Sequence, residues 1–300
     1  SDPDNPSKPD GKYFLVSDAA EIDFASNNVY TLAADVTMTA ENVSKMQCTL
    51  KGDGKKITVS GAKPMFDTIS ETGTVENVTI DVVLSGEITT DYAVIAKYNY
   101  GTIKNVTVNI SGILTVNGTK ETKTSDGVRL AGVAENNGSK NNRVGTVENC
   151  TVTADLILNG TVESDASFSG IVANNFYLLK NSSLSGKIES ETVDLAGICD
   201  TNNYLVSDSV NNAELKQTSP EQTWSPFVAG INAHNYYVVQ NCVNNGALTS
   251  ISACKITGDA YPTASVGGIA IDNAVGTHSN GQSILIYECA NNGALKAQTE

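Results

Sequence analysis

His234 and Asp272 occupy the same place in two successive repeats of this chain, in a column that reads Asn136, Asn174, Thr201, His234 and Asp272. If the two side chains converge from neighbouring repeats, an imidazole and a carboxylate come within proton-transfer reach, an arrangement suited to general acid and base chemistry. The column is polar at every copy, and solvated turn residues are the plainer account of it. Asp194, Asp200 and Asp208 fall close together in sequence, and glycoside hydrolysis on a repeated scaffold wants carboxylates that cluster across adjacent strands. Their spacing sends these three to different parts of one repeat, and the two arginines, Arg129 and Arg143, lie far from them along the chain. A lyase would want a basic residue beside calcium-binding acids, and that does not stand out either. There is no zinc-ligand spacing and no calcium nonapeptide, so the expectation is no metal, no cofactor and no assigned catalytic residue.

Aromatic residues form a second column. Tyr177, Tyr204 and Tyr237 each stand seven residues after a repeated Gly, with Phe176 and Tyr236 adjacent and Tyr98 and Tyr100 on an earlier copy. Rings exposed in a line would grip an extended glycan by stacking on their flat faces. The competing account is an aromatic stack within the coil or over a turn. Trp224 beside Pro226 could add a contact from a loop or simply pack there. The ligand-binding candidates are therefore Tyr177, Tyr204, Tyr237, His234 and Asp272.

The elements that must position these columns are repeats. Leu130-Ala131-Gly132-Val133, Phe168-Ser169-Gly170-Ile171, Leu195-Ala196-Gly197-Ile198, Val228-Ala229-Gly230-Ile231 and Val266-Gly267-Gly268-Ile269 share one pattern, with Tyr92-Ala93-Val94-Ile95 as a degenerate copy. Five residues after the third position stand Asn99, Asn137, Asn175, Asn202, Asn235 and Asn273. Copies recur every roughly 27 to 38 residues, the signature of a solenoid. A second strand family reads Gly73-Thr74-Val75-Glu76-Asn77-Val78-Thr79, Gly101-Thr102-Ile103-Lys104-Asn105-Val106-Thr107 and Gly145-Thr146-Val147-Glu148-Asn149-Cys150-Thr151, and a third includes Ile113-Leu114 and Leu156-Ile157-Leu158. Three strands per turn predict a three-sided parallel β-helix of about nine rungs, in which the stacked Asn side chains form a structural ladder along the axis. Cys150, Cys242 and Cys289 follow the turn residues Asn149, Asn241 and Glu288. Such a column is read either as small buried hydrophobes or as disulfide partners. Cys48 and Cys254 carry no assignment.

A helix is predicted over Ser17 to Ala25, with Ser17 as N-cap and Asp18 and Glu21 in its first turn, capping the first rung. Residues 1–12, with three Pro and three Asp, read as a flexible leader, and 13–300 as one β-helix domain. Loops around 117–128, 138–144, 216–226 and 253–264 lengthen particular turns, where binding specificity would sit. The strand pattern runs to Ala294-Leu295 with no cap in view, so the expectation is that the natural chain continues or that a partner covers that end.

Of 300 residues 40% are hydrophobic and 17% charged, and the net charge is -14. That balance works against phosphate-rich partners, so nucleic acid is excluded as an expectation. No run of about 18 apolar residues and no signal peptide appears, which leaves a membrane only through a lipid anchor absent from this chain.

The segments Tyr30-Thr31-Leu32-Ala33-Ala34-Asp35-Val36 and Leu50-Lys51-Gly52-Asp53-Gly54-Lys55-Lys56-Ile57-Thr58-Val59, with the Gly-Thr-Val-Glu-Asn-Val-Thr and Ala-Gly-Ile copies, resemble pectate-lyase-like right-handed parallel β-helices. Among these the chain looks most like GLUG-repeat surface proteins, over about residues 15 to 300. The resemblance implies an all-β right-handed three-sided solenoid with a short N-terminal capping helix. It further implies an exported, lipid-anchored or secreted bacterial surface protein with an adhesin-like role, placed in the extracellular space or on the outer membrane. Its partner would be a glycan or a host or bacterial surface protein. The family's catalytic pattern maps onto no residues here. A polysaccharide-degrading β-helix enzyme, lyase or glycoside hydrolase, and a structural surface spacer are the alternatives.

Overall fold

The structure, a computed structural model, describes residues 11–39, 43–117, 127–160, 166–219, 226–253, 263–274 and 283–299. Residues 1–10, Trp224 and Cys254 lie outside these, as does most of each segment around 117–128, 216–226 and 253–264; residues 216–219, expected in a loop, are the end of the strand Glu214–Ser219. The described chain is a parallel β-helix. One turn of the coil consists of a short strand Ala166–Ser169, a second short strand Val172–Asn175, and a long side made of Leu178–Lys180 and Ser183–Glu191. Each strand pairs in parallel with its counterpart one turn on, as Phe168 does with Leu195 and Asn175 with Asn202. The first short strands stack into a 6-stranded sheet, the second into a 7-stranded sheet and the long sides into a 20-stranded sheet. Counted at the start of the long side, the stack runs from Tyr13–Val16 through Val29–Leu32 and on to Leu285–Tyr287. At about 4.8 Å per step those nine steps give a rod about 43 Å long.

The sides are divided differently from the sequence expectation. The apolar segment around the repeated Gly is two strands on two sheets, with the Gly at the corner between them: Val128–Ala131 ends before Gly132 and Ala134–Asn137 begins after it. The reason is steric. A Cβ on Gly132 would lie 2.1 Å from the Gly170 carbonyl oxygen, on Gly170 2.0 Å from that of Gly197, and on Gly197 1.9 Å from that of Gly230. Only a residue without a side chain lets successive corners nest this closely. Conversely, the two strand families expected after the corner belong to one sheet, continuous in Thr74–Ile88 and Thr102–Val116. This side bends at residues with left-handed backbone, Asn77, Asn105, Asn149, Asn181, Asp208, Asn241 and Glu288, with φ from 49 to 54°. Asn and Asp tolerate that region best, which is why they dominate the position.

Inward side chains alternate with outward ones along the long side. In Thr151–Gly160, Val152, Ala154, Leu156 and Leu158 are buried while Thr151, Thr153, Asp155 and Ile157 face out. One continuous core follows, from Val16 to Leu248. The predicted helix is not formed. A single 3-10 turn, Ala19–Glu21, takes its place, and its N-cap is Asp18 rather than Ser17: the Asp18 carboxylate accepts from the Ala20 N–H at 2.9 Å. Asp23 then accepts from the Ala25 N–H at 3.1 Å, so two short Asx turns compete with the helix and win. Ile22 is buried, and Phe24 meets the Phe66 ring edge-on at 5.2 Å.

Candidate functional site

The Gly corner brings the outward side chains of the two short sheets against each other. Ala93, Ala131 and Ala173 touch across it, and on later rungs Ala196, Ala229 and Ala233 do the same, with Phe227 and Ile271 packed alongside. Polar residues cross the same corner. Arg129 Nη1 lies 3.3 Å from Asp200 Oδ2, two rungs further on, and donates to Ser167 Oγ at 3.0 Å. Ser167 Oγ donates in turn to Asp200 Oδ2 at 2.8 Å. Asp200 Oδ1 is buried without a hydrogen-bond partner among the described residues and faces His234 Nε2 at 3.9 Å. On its other side His234 meets Asp272, Nδ1 to Oδ2, at 2.6 Å, and the Phe227 ring stands against it edge-on at 5.3 Å.

His234 and Asp272 are thus brought together by the register of their strands. The rest of the row was not legible in the sequence: Arg129, Ser167 and Asp194 share one position of the first short strand, and Asp200 precedes the His234 column on the second. Aligning copies at the Gly, rather than measuring distance along the chain, would have placed Arg129 near Asp200. Asp194 completes the cluster. Burial is the main influence that pushes its carboxyl up to about 8, against hydrogen bonds from the Phe227 N–H and the Gln217 amide; the neighbouring Asp200 adds to the rise and Arg129 opposes it. A protonated acid near an ion-paired carboxylate has the composition of an acid and base pair, but Asp200 is fully buried and Asp194 only 9% exposed. Asp208, the third acid of the group, is a bend residue on the long side, where its Oδ1 accepts from Asn241. Among the described residues no group of three His, Cys, Asp or Glu is placed to hold a metal ion.

The tyrosines lie in a separate column. Tyr177 stacks on Tyr204 at 5.1 Å between centroids and Tyr204 on Tyr237 at 5.0 Å, with interplanar angles of 25° and 12°. Each ring therefore covers the face of the next, and ring edges rather than flat faces are left for a partner. Tyr237 is only 6% exposed, while Tyr236 beside it is 43% exposed. On an earlier rung Tyr98 and Tyr100 lie parallel at 6.2 Å, and Lys97 Nζ sits 5.7 Å from the Tyr98 centroid. The 138–144 loop reaches back over this end, where Asn142 donates to Glu71 at 3.1 Å and helps enclose a shallow open pocket with Lys45, Gln47 and Tyr100.

The inward Asn column hydrogen-bonds along the axis from Asn99 to Asn137, Asn175, Asn202, Asn235 and Asn273, each Nδ2 donating to the next Oδ1 at 2.7 to 2.9 Å. The same amides donate to strand carbonyls such as Leu178 and Leu205. A second ladder, from buried Asn211 and Asn244 to the exposed Asn291 at 2.7 Å per step, escaped the sequence reading although Asn-Asn pairs recur just before Leu215, Leu248 and Leu295.

No family model and no curated protein sequence matches this chain. Among solved structures, a provisionally assigned immunoglobulin A1 protease from Bacteroides ovatus is similar, with a TM-score of 0.52 over 86% of this chain and 84% of that one at 15% identity. That degree of likeness speaks to the fold alone.

Proposed function

We propose that this protein is a non-enzymatic, adhesin-like β-helix, exported to the cell surface or beyond it, that binds an extended glycan along the edge carrying Tyr177, Tyr204 and Tyr237. The observation that carries the reading is the tyrosine stack itself: three rings repeat at about 5 Å beside the exposed Tyr236. Ring edges at a spacing close to one sugar unit offer a repeated apolar rim with phenol groups able to donate and accept. The rim lies in two-residue bends pinned between paired strands, so little ordering entropy is lost on binding. A surface protein is the other partner class for the same edge and for the 138–144 loop. Among the described residues no helix is long and apolar enough to cross a membrane; the attachment proposed is a lipid anchor outside this sequence.

A second reading, a polysaccharide-degrading enzyme, draws on Asp194, whose burial holds its carboxyl protonated near neutral pH beside Asp200. The burial of both acids favours the binding reading, since a glycosidic oxygen must reach the acid it takes its proton from. The deciding experiment is a broad glycan array probed with the native chain, with a Y204F variant that keeps the stack, and with a folded Y177A/Y204A variant. Selective binding lost in the double variant supports the aromatic edge. Release of reducing ends from a bound glycan, abolished by D194N, would move the assignment to an enzyme. No binding by the native chain would redirect it to a protein partner or a structural spacer.

A further inference from the structure

The Cys column after the left-handed bends contains one pair on consecutive rungs. Val243 pairs with Ala290, so the residues just before them, Cys242 and Cys289, stack directly. The Cys242 N–H points at Cys289 Sγ, 3.5 Å away. The rung spacing of about 4.8 Å falls inside the range of Cα separations, roughly 4.4 to 6.8 Å, that a disulfide spans. Other described cysteines have no such neighbour: Cys150 is followed on the next rungs by Ser182 and Ser209, to which the intervening bonds run. Cys242 is fully buried and Cys289 half-buried, both as free thiols.

We propose that Cys242 and Cys289 form a resolving and an attacking thiol that close into a disulfide between two consecutive rungs by exchange with a small-molecule disulfide such as oxidised glutathione. The Cys289 thiolate attacks one glutathione sulfur, forming a mixed disulfide and releasing one glutathione thiolate. Cys242 then attacks the Cys289 sulfur, passing its proton to the departing sulfur and expelling the second glutathione as a thiol. Two protein thiols are oxidised and one glutathione disulfide is reduced to two thiols, so atoms and electrons balance. The electrostatics favour this order. The contact between the two thiols draws Cys289 down to about 7, whereas the same contact and burial push Cys242 up. The reachable sulfur is therefore the one with thiolate character at neutral pH. The product staples the rung Leu285–Tyr287 and Ala290–Asn291 to the one before it, a rung whose Leu285, Tyr287 and Leu295 are otherwise more than 40% exposed.

The test equilibrates the folded 300-residue chain in glutathione buffers stepped from fully reduced to fully oxidised, quenches with an alkylating agent, and maps peptides by mass. The expected result is loss of two hydrogens and a linked 242–289 peptide in the oxidised buffers, reversed by reduced glutathione. C289S should abolish both the link and any glutathione adduct at this site. C242S, with the serine that Ser182 and Ser209 already place in this column, should stop at the Cys289 glutathione adduct. Two thiols left alkylated at full oxidation, or a link from Cys289 to Cys254 or to a second molecule, would overturn the proposal.

Discussion

The Gln217 side-chain amide and the Phe227 backbone N–H donate to the same oxygen of Asp194, Oδ1, at 2.9 and 3.0 Å. Both stabilising bonds thus fall on one atom, and burial dominates them, lifting the carboxyl from 3.8 to about 8. Between those two values the unfolded chain has released a proton that the folded chain retains. Unfolding then releases a proton, so folding stability falls as pH rises through that window and levels off above about 8.

Asp194→Asn keeps Oδ1 as the acceptor for both donors and mimics the protonated acid at every pH. It should leave stability nearly unchanged at about pH 3, below both values, and raise it at pH 9 by on the order of 2 kcal/mol, a fraction of the ceiling set by the full shift. Thermal midpoints of both proteins across that range are the measurement. Parallel curves for the two would show that Asp194 is ionised in the folded state at neutral pH.

The sequence displayed the solenoid because a stacked coil reuses one environment per rung, and Gly132, Gly170, Gly197 and Gly230 must all be Gly for the same carbonyl to approach. The corner they mark was misplaced, since an apolar run such as Leu195-Ala196-Gly197-Ile198 looks like one strand until Gly is recognised as a bend. The Arg129–Asp200 contact was hidden for a different reason: the partners are two rungs apart, and unequal loops between copies scramble sequence distance. His234 with Asp272 was visible because both lie in one aligned column.

The inward Asn column and the Asn side chains linked along the left-handed bends of the long side differ in burial, and mutation should expose the difference. Asn175 is fully buried, accepts from Asn137 and donates to Asn202 and to the Leu205 carbonyl. Asn105 makes the equivalent link to Asn77 at 3.0 Å on an exposed bend. Asn175→Ala leaves buried partners unsatisfied and should cost about 3 kcal/mol, whereas Asn105→Ala should cost about 1 kcal/mol, chiefly from its left-handed backbone. Equal midpoint losses in chemical denaturation would show that burial adds nothing to the inner ladder.

Arg129 compensates a carboxylate that would otherwise be buried without a cation. Arg129→Ala should destabilise by about 3 kcal/mol near neutral pH, because Asp200 keeps its desolvation penalty and loses its partner. Asp200→Asn in the Arg129→Ala background removes the buried charge and should recover part of the loss. Thermal denaturation of the single and double variants gives the coupling directly. Additive losses would mean that the pair is electrostatically idle.

Gly197 and Gly54 are both glycines at bends, yet for opposite reasons. A Cβ on Gly197 would stand 1.9 Å from the Gly230 carbonyl oxygen and 3.0 Å or less from the Asn211 side chain, with no left-handed backbone involved. On Gly54 the same atom would meet nothing within 4 Å, but the residue has φ +76°. Gly197→Ala must therefore push two rungs apart along the axis, disturbing the Ile198 N–H to Ile231 carbonyl bond at 2.9 Å and the Asn211 ladder with it. Overpacking against rigid backbone exceeds the ordinary cost of about 1 to 3 kcal/mol for a crowded core, so a loss above about 3 kcal/mol is expected. Gly54→Ala should cost about 1 kcal/mol, the conformational term alone. Hydrogen exchange separates the cases further: G197A should raise exchange at residues 195–202 and 228–235 on both rungs, while G54A should leave every strand protected. A mild G197A with unchanged exchange would mean that the corners are not in contact through the Gly.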